Sequence, residues 1–459
     1  MKRREFLGAA AAAACGVAQP LGSSVARARS LDKKGATTIK FVPNWGLDGF
    51  ARKLADRFME KNPEIRIEFS DAGSFSKKDY DRAMLKAYKQ GDPYDMVITG
   101  PYYSRWATQS GYTIDPAPLF ERDFGADYQK KFKNIFTWWD GKMIGVPFQS
   151  GTQLFYYNRD MIEQAGVGLP AENWTWDDML NIAKSTMKYA DGELVQWGCT
   201  VFEADLFRLY VAQEDQRLFT DDYRQATIDT PVVHEAMQFV HDLVFENKVV
   251  GGPAQWRSAE EDKAYSWNHS AFYAGKVAMF RDGDLRLPKI YGSAEQNGFR
   301  VAVAPPLRRK KKAVSAGPTT FQIWKAPDPA RTEAAWEFAK FWLTPENQAS
   351  LLLETGHSPA THAAYEHPIG QQCLDKWPDL AVFREAYEHA DETAGINGFP
   401  TMALEYLGMR PFVYRVIMGK LSPQAAVQQM QAKCQSILKE FWSKADQGIF
   451  ELFSEALHK

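Results

Sequence analysis

Trp45, Tyr102, Tyr103, Trp106, Trp174, Trp256 and Trp267 stand beside turn residues rather than inside apolar runs. Most aromatic side chains fill cores, but the chain holds 14 Trp, 19 Tyr and 29 Phe, an ample supply for other uses. A flat face flanked by hydrogen-bonding groups is what a wet cleft needs to hold a sugar ring: the ring stacks, and its hydroxyls meet polar side chains. Chemistry on such a ring is less well provided for. Glycoside hydrolysis needs two carboxylates at a set separation, and Asp282, Asp284 and Glu405 qualify only in that they could share one cleft. No G-x-S-x-G nucleophile occurs. His357, His362 and His367, spaced by five, share no helical face and do not suggest a metal site. Cys199, Cys373 and Cys434 lie far apart with no C-x-x-C pair, so buried free thiols are expected and at most one internal disulfide is open to them. The residues point to capture without turnover, and to no cofactor.

The first residues bound where this capture takes place. Lys2, Arg3 and Arg4 precede a short apolar run from Phe6 to Ala18, and a polar stretch ends in Ala26-Arg27-Ala28. Basic head, apolar middle and A-x-A exit read as an export signal over residues 1–28. The run falls short of the ~20 residues that span a bilayer. Arg3-Arg4-Glu5-Phe6-Leu7-Gly8 resembles a twin-arginine signal. Ala12-Ala13-Ala14-Cys15 vaguely resembles a lipoprotein box but has Ala12 where Leu is usual, so Cys15 is expected to leave with the signal. The whole chain carries −2 and the leader +3 (Lys2, Arg3, Arg4 and Arg27 against Glu5), which leaves −5 on the remainder. Mild acidity argues against nucleic acid as a partner. Arg308-Arg309-Lys310-Lys311-Lys312, one basic run without interleaved aromatics, reads as a solvated turn.

What remains is too long for one comfortable core. Strand-like and helical segments alternate. Thr38–Val42 is β-branched and aromatic; Leu47, Phe50, Leu54 and Phe58 then recur at helical spacing until Asn62-Pro63. Ile65–Phe69 and Tyr94–Ile98 read as strands around an amphipathic helix, Asp79–Lys89. Lys142–Phe148 and Gln153–Tyr157 are strands joined with no helix between them. Thr175 and Asp178 form a capping box, and Pro345 and Pro423 open later helices. Phe299–Ala304 and Phe321–Lys325 are further strands. Crossover helices between short strands indicate an α/β fold with mostly parallel sheets.

Four stretches, in order, carry a family resemblance: Gly141–Phe148 running to Leu154–Asp160, Ala271–Met279, Ala334–Phe338 to Thr344–Gln348, and Gly419–Ala426. Together they resemble the extracellular solute-binding proteins of ABC importers, in the carbohydrate-binding branch that includes maltose-binding protein. The resemblance implies a two-lobed α/β fold with a multi-strand hinge. One lobe would hold residues 29–149 plus 305–352 and the other 150–304 plus 353–459. It further implies a monomer that takes a small solute and hands it to permease subunits outside the cytoplasm. Pro147–Thr152, with Gly151 for backbone freedom, independently suits a first hinge crossing.

Ligand residues follow from that architecture, whose cleft lies at the carboxyl ends of strands. Asn44 and Trp45, Asp71, and Tyr102 with Tyr103 follow the first three strands. Gln149 and Ser150 sit at the first crossing. Gly317 occupies a loop the family places near ligand. Tyr406 aligns with a ligand-stacking Trp, and Glu405 is beside it. One departure concerns the second lobe: family members show a Gly-Pro-Trp where this chain has Gly283-Asp284-Leu285. Arg281, Asp282, Asp284 and Arg286 stand there instead, either binding a more polar or charged solute (a polyol phosphate, an acidic sugar, a polyamine) or simply solvated. Trp267 and Asn268 are the replacement candidates for the missing face.

Overall fold

Ile39, Phe41 and Val42 are fully buried, and in the computed structural model they lie in strand β1 (Thr37–Val42). The structure describes residues 35–445 apart from 45, 71–79, 101–106, 109, 133–134, 140, 201–202, 252–267, 316, 392–393 and 395–402. β1 pairs in parallel with β2 (Ile65–Phe69) and with β3 (Met96–Thr99). A small hairpin, β4 (Trp138–Trp139) and β5 (Lys142–Met143), precedes β6 (Val146–Ser150). The single strand expected over 142–148 is thus broken. Gly145 makes the break at φ +76, where a Cβ would stand 2.7 Å from the Phe321 carbonyl oxygen.

The helix Asp48–Lys61 buries Phe50, Leu54 and Phe58, the positions its spacing marked, and ends at Asn62. Helix Pro329–Trp342 lays Ala335, Phe338, Ala339 and Trp342 on the same core.

The second sheet begins at β7 (Gln153–Asn158), two residues beyond β6, and adds β8 (Lys188–Ala190), β9 (Glu193–Cys199), β10 (Val277–Gly283) and β11 (Val301–Val303). Its strand order is β11-β7-β10-β9-β8. Alternate side chains of its strands feed two cores. Phe155, Tyr157, Cys199 and Met279 pack with the helices Trp176–Ser185, Pro231–Phe245 and Pro423–Ala445. Leu154, Tyr156 and Phe280 face Leu287, Ile290, Cys373 and Phe383. Thr175 caps its helix as expected: its hydroxyl accepts from Asp178 N, and Asp178 Oδ2 accepts from Thr175 N at 2.8 Å. Gly198 lets β9 approach that helix, since a Cβ there would lie 2.1 Å from the Ala183 carbonyl oxygen.

The chain then returns to the first sheet. β12 (Thr319–Ile323) inserts antiparallel between β6 and β3, and β13 (Ser358–Pro359) pairs with β6, giving β13-β6-β12-β3-β1-β2. The Phe148 and Phe321 rings stack across the β6–β12 joint with centroids 4.2 Å apart. Cys199, Cys373 and Cys434 are buried and free. No helix among the described residues is long and apolar enough to cross a membrane.

Candidate functional site

Register brings the strand ends together. Thr319 lies opposite Gln149, and Thr320 opposite Thr99, so the end of β6, the start of β12 and the carboxyl end of β3 share one rim of the first sheet. β1, parallel to β3, ends on the same rim just before Asn44. In the second sheet, Gly283 pairs with Gln153 and β9 runs parallel to β10, so its facing rim is built from the ends of β9 and β10 and the start of β7. Three crossings stitch the rims. Gly151 N donates to Gly317 O at 3.0 Å and Gly317 N to Gly151 O at 2.8 Å. The third crossing pairs Ser358 with Ser150 and Pro359 with Gln149. Thr152 Oγ1 donates to Ser315 O at 2.6 Å, and Asp284 N to Thr152 O at 3.2 Å. A missing side chain at both Gly151 and Gly317 is what lets these two crossings exchange backbone bonds.

Gln149 occupies this junction at 6 % exposure. Its Nε2 donates to Thr319 Oγ1 at 2.7 Å, while its Oε1 has no hydrogen-bond partner among the described residues. Leaving a buried acceptor unpaired costs about 1–3 kcal/mol. Ser150 differs: its hydroxyl donates to Pro359 O at 3.2 Å, and it serves the hinge.

Of the charged residues at the end of β10, Arg281, Asp282 and Asp284 are buried, whereas Arg286 is partly exposed. β10 is buried along its length, and Arg281 lies in it at 1 % exposure. Its guanidinium donates to Gln153 Oε1 and to Ser315 Oγ (3.3 Å) and stands 3.7 Å from Asp205 Oδ2. Burial pulls its pKa down to about 10, against the opposing pull of Asp205, so it stays charged at neutral pH. Asp282, on the opposite face, is 2.8 Å from His269 Nε2 and accepts from Gly283 N at 2.6 Å, with Arg286 Nε 3.9 Å away. Asp284 is 1 % exposed, caps Leu285 N at 2.8 Å, and lies among buried phenols. Burial raises the pKa of Tyr156, Tyr365 and Tyr387, and the Asp284 charge raises each further. A strand buried on both faces can carry these charges only because each has a polar partner. The basic run is solvent-exposed at Lys310, as expected, and is also paired: Arg309 and Lys310 reach Glu214, Lys311 reaches Asp215 and Asp391, and Lys312 reaches Glu172.

Of the remaining candidates, Asn44 is half-buried and its carbonyl accepts from Leu47 N at 3.2 Å. Asn268 is buried beside His269. Gly317 lies at the crossing described above. Glu405 is 4 % exposed and bonded to Arg208. Tyr406 is partly buried, with the Arg410 guanidinium 5.2 Å from its ring centroid. Trp45, Asp71, Tyr102, Tyr103 and Trp267 lie outside the described residues. Sequence reasoning missed Thr319, although it lies only two residues beyond Gly317. It also missed Asp205 and Arg208, whose only local signal is an i,i+3 charge pair on one helix.

Residues 53–381 match the family described as bacterial extracellular solute-binding protein. The sn-glycerol-3-phosphate-binding periplasmic protein UgpB of Pectobacterium atrosepticum is 24% identical over 442 residues, covering 90% of this chain and 94% of its own. The sugar-binding protein MalE of Xanthomonas citri superposes with TM-score 0.75 at 19% identity, over 90% of this chain and all of that one (100%). A Listeria monocytogenes ABC substrate-binding protein in complex with cycloalternan gives TM-score 0.70 at 21% identity, covering 88% and 99%. These likenesses and the two linked sheets agree on a two-lobed α/β binding-protein fold. The chain is a member of the bacterial extracellular solute-binding protein family.

Proposed function

We propose that this chain is the solute-capturing component of an ABC importer, and that it holds a carbohydrate between its lobes and releases it chemically unchanged. The observation that carries this is the buried, unpartnered Oε1 of Gln149 at the hinge junction. An acceptor calls for a donor, and the hydroxyls of a sugar supply one. Residues 29–149 with 305–352 form one lobe in this reading, and 150–304 with 353–459 the other. Residues 1–28 direct export, are removed after about Ala28, and leave a monomer outside the cytoplasmic membrane. Ligand contacts are assigned to Gln149, Asn44, Tyr406 and the aromatic candidates Trp45, Tyr102, Tyr103 and Trp267, with the ligand favouring closure by its preference for the closed state.

The relative that binds sn-glycerol-3-phosphate supports a second reading, an anionic solute. Against it, the buried guanidinium groups of Arg281 and Arg208 are engaged by Gln153, Ser315, Asp205 and Glu405. Calorimetry on residues 29–459 with maltotriose, arabinose and sn-glycerol-3-phosphate decides between the two. Heat from a sugar, with the sugar recovered intact, is expected. Binding of the phosphate alone would replace the carbohydrate reading, and product formation would replace capture by catalysis.

A further inference from the structure

Arg208 lies in the helix Glu203–Gln213 at 3 % exposure. Its guanidinium donates through Nη2 to Asp205 Oδ1, one turn earlier, and through Nη1 to Oε2 of Glu405, from a segment 197 positions away. Glu405 sits in the first turn of a six-residue π-helix, Leu404–Met409. Such turns are rare and are frequent at functional sites. Leu404 and Met409 seat it in the helical core, Gly408 lies so close that a Cβ would stand 2.7 Å from Cys434 Sγ, and Arg208 holds Glu405 by a charged hydrogen bond. Between Glu405 and Gly408 is Tyr406. On its other side, Asp205 also faces Arg281, which reaches Gln153 and Ser315 at the crossings. Gln153, Arg281, Asp205, Arg208 and Glu405 therefore form one continuous chain of polar contacts from hinge to π-helix.

We propose that Arg208 is a positioning residue of the ligand site: by holding Glu405 it fixes the π-helix and sets the pose of the Tyr406 ring, without touching ligand itself. The proposal rests on the ligand role assigned to Tyr406 above. Arginine suits the task because its planar fork can meet two carboxylates at once. The link sets ligand affinity from a residue buried beneath the cleft.

Amide hydrogen exchange of the ligand-free protein tests the anchoring. In Arg208→Met, peptides covering 404–409 should exchange roughly tenfold faster, as expected when a charged hydrogen bond is lost, while those covering Asp48–Lys61 keep their rates. Unchanged exchange over 404–409, or equal acceleration in both segments, overturns the proposal. Should Arg208→Met not fold, Arg208→Lys, which keeps the charge beside Asp205 but lacks the fork, is read in the same way. Calorimetry with maltotriose tests the consequence. Arg208→Met should weaken binding roughly tenfold in the wild-type background and less than about twofold in a Tyr406→Ala background, because the two act through one element. Additive losses overturn the proposal. Wild-type protein that does not bind maltotriose counts against the carbohydrate reading alone, and the exchange rates still decide the role of Arg208.

Discussion

Replacing Gln149 by Met separates a ligand role from a hinge role, because the two make opposite demands on stability. Met keeps length and volume but removes both polar atoms. In the free protein, the substitution loses the Nε2 bond to Thr319 Oγ1, a net ~1 kcal/mol. It also removes a buried acceptor with no partner, relieving about 1–3 kcal/mol. The net lies between about 0 and 2 kcal/mol, so the free protein should be unchanged or slightly more stable, by at most a few degrees in Tm. With ligand bound the balance changes. A sugar hydroxyl that had donated to Oε1 would be buried without an acceptor, a loss of about 2 kcal/mol or roughly 30-fold in Kd. Thermal unfolding and calorimetry with the best-binding sugar measure the two quantities on the same samples. Unfolding weakened by more than about 3 kcal/mol with affinity untouched would refute the reasoning and make Gln149 a structural strut.

Three further outcomes are expected. Tyr406→Ala should weaken sugar binding about tenfold or more while unliganded stability changes by less than ~1 kcal/mol; equal affinity in calorimetry would remove Tyr406 from the site. Burial, with a smaller push from Arg286, lowers the His357 pKa to about 4 in the folded state, against about 6.5 unfolded. The unfolded chain takes up the proton first, so this contribution is complete above pH ~6.5 and lost as pH falls from there to about 4, on the order of 2 kcal/mol after allowing for partial exposure. His357→Gln should flatten that part of the denaturant-measured stability profile, and parallel profiles would contradict it. Gly198→Ala places a Cβ 2.1 Å from the Ala183 carbonyl oxygen and should lower stability by roughly 2–4 kcal/mol in urea unfolding, a value near zero showing that helix and strand can part freely.

Local devices could be read from sequence because they act locally. The stripe Phe50, Leu54 and Phe58, the Thr175–Asp178 box, and the prolines opening helices at 345 and 423 each work within a turn or two, and the structure shows them where expected. The first hinge crossing was visible too, since two strands with no helix between them and a glycine in the gap leave few alternatives. Charge partners were not legible. Arg281 and Asp282 left a binding role and a solvated one equally open, because the groups that hold them, Gln153, Asp205, Ser315 and His269, arrive from other elements. The acids that pair with the basic run 308–312 likewise lie far off in sequence, near 172, 214 and 391. The π-helix at 404–409 escaped because a 3.6-residue period does not register one inserted residue.

Strand β12 sits in the middle of the first sheet yet is nearly the last of its members to be synthesised. Until residues 319–323 emerge, β3 and β6 each present a bare edge of unpaired amides and carbonyls, and Phe148 has no ring to lie against. Open edges of this kind invite pairing with neighbouring chains. Folding of this half is therefore held back until most of the polypeptide exists, which makes newly made, incomplete chains its most vulnerable form and gives chaperones their natural point of engagement.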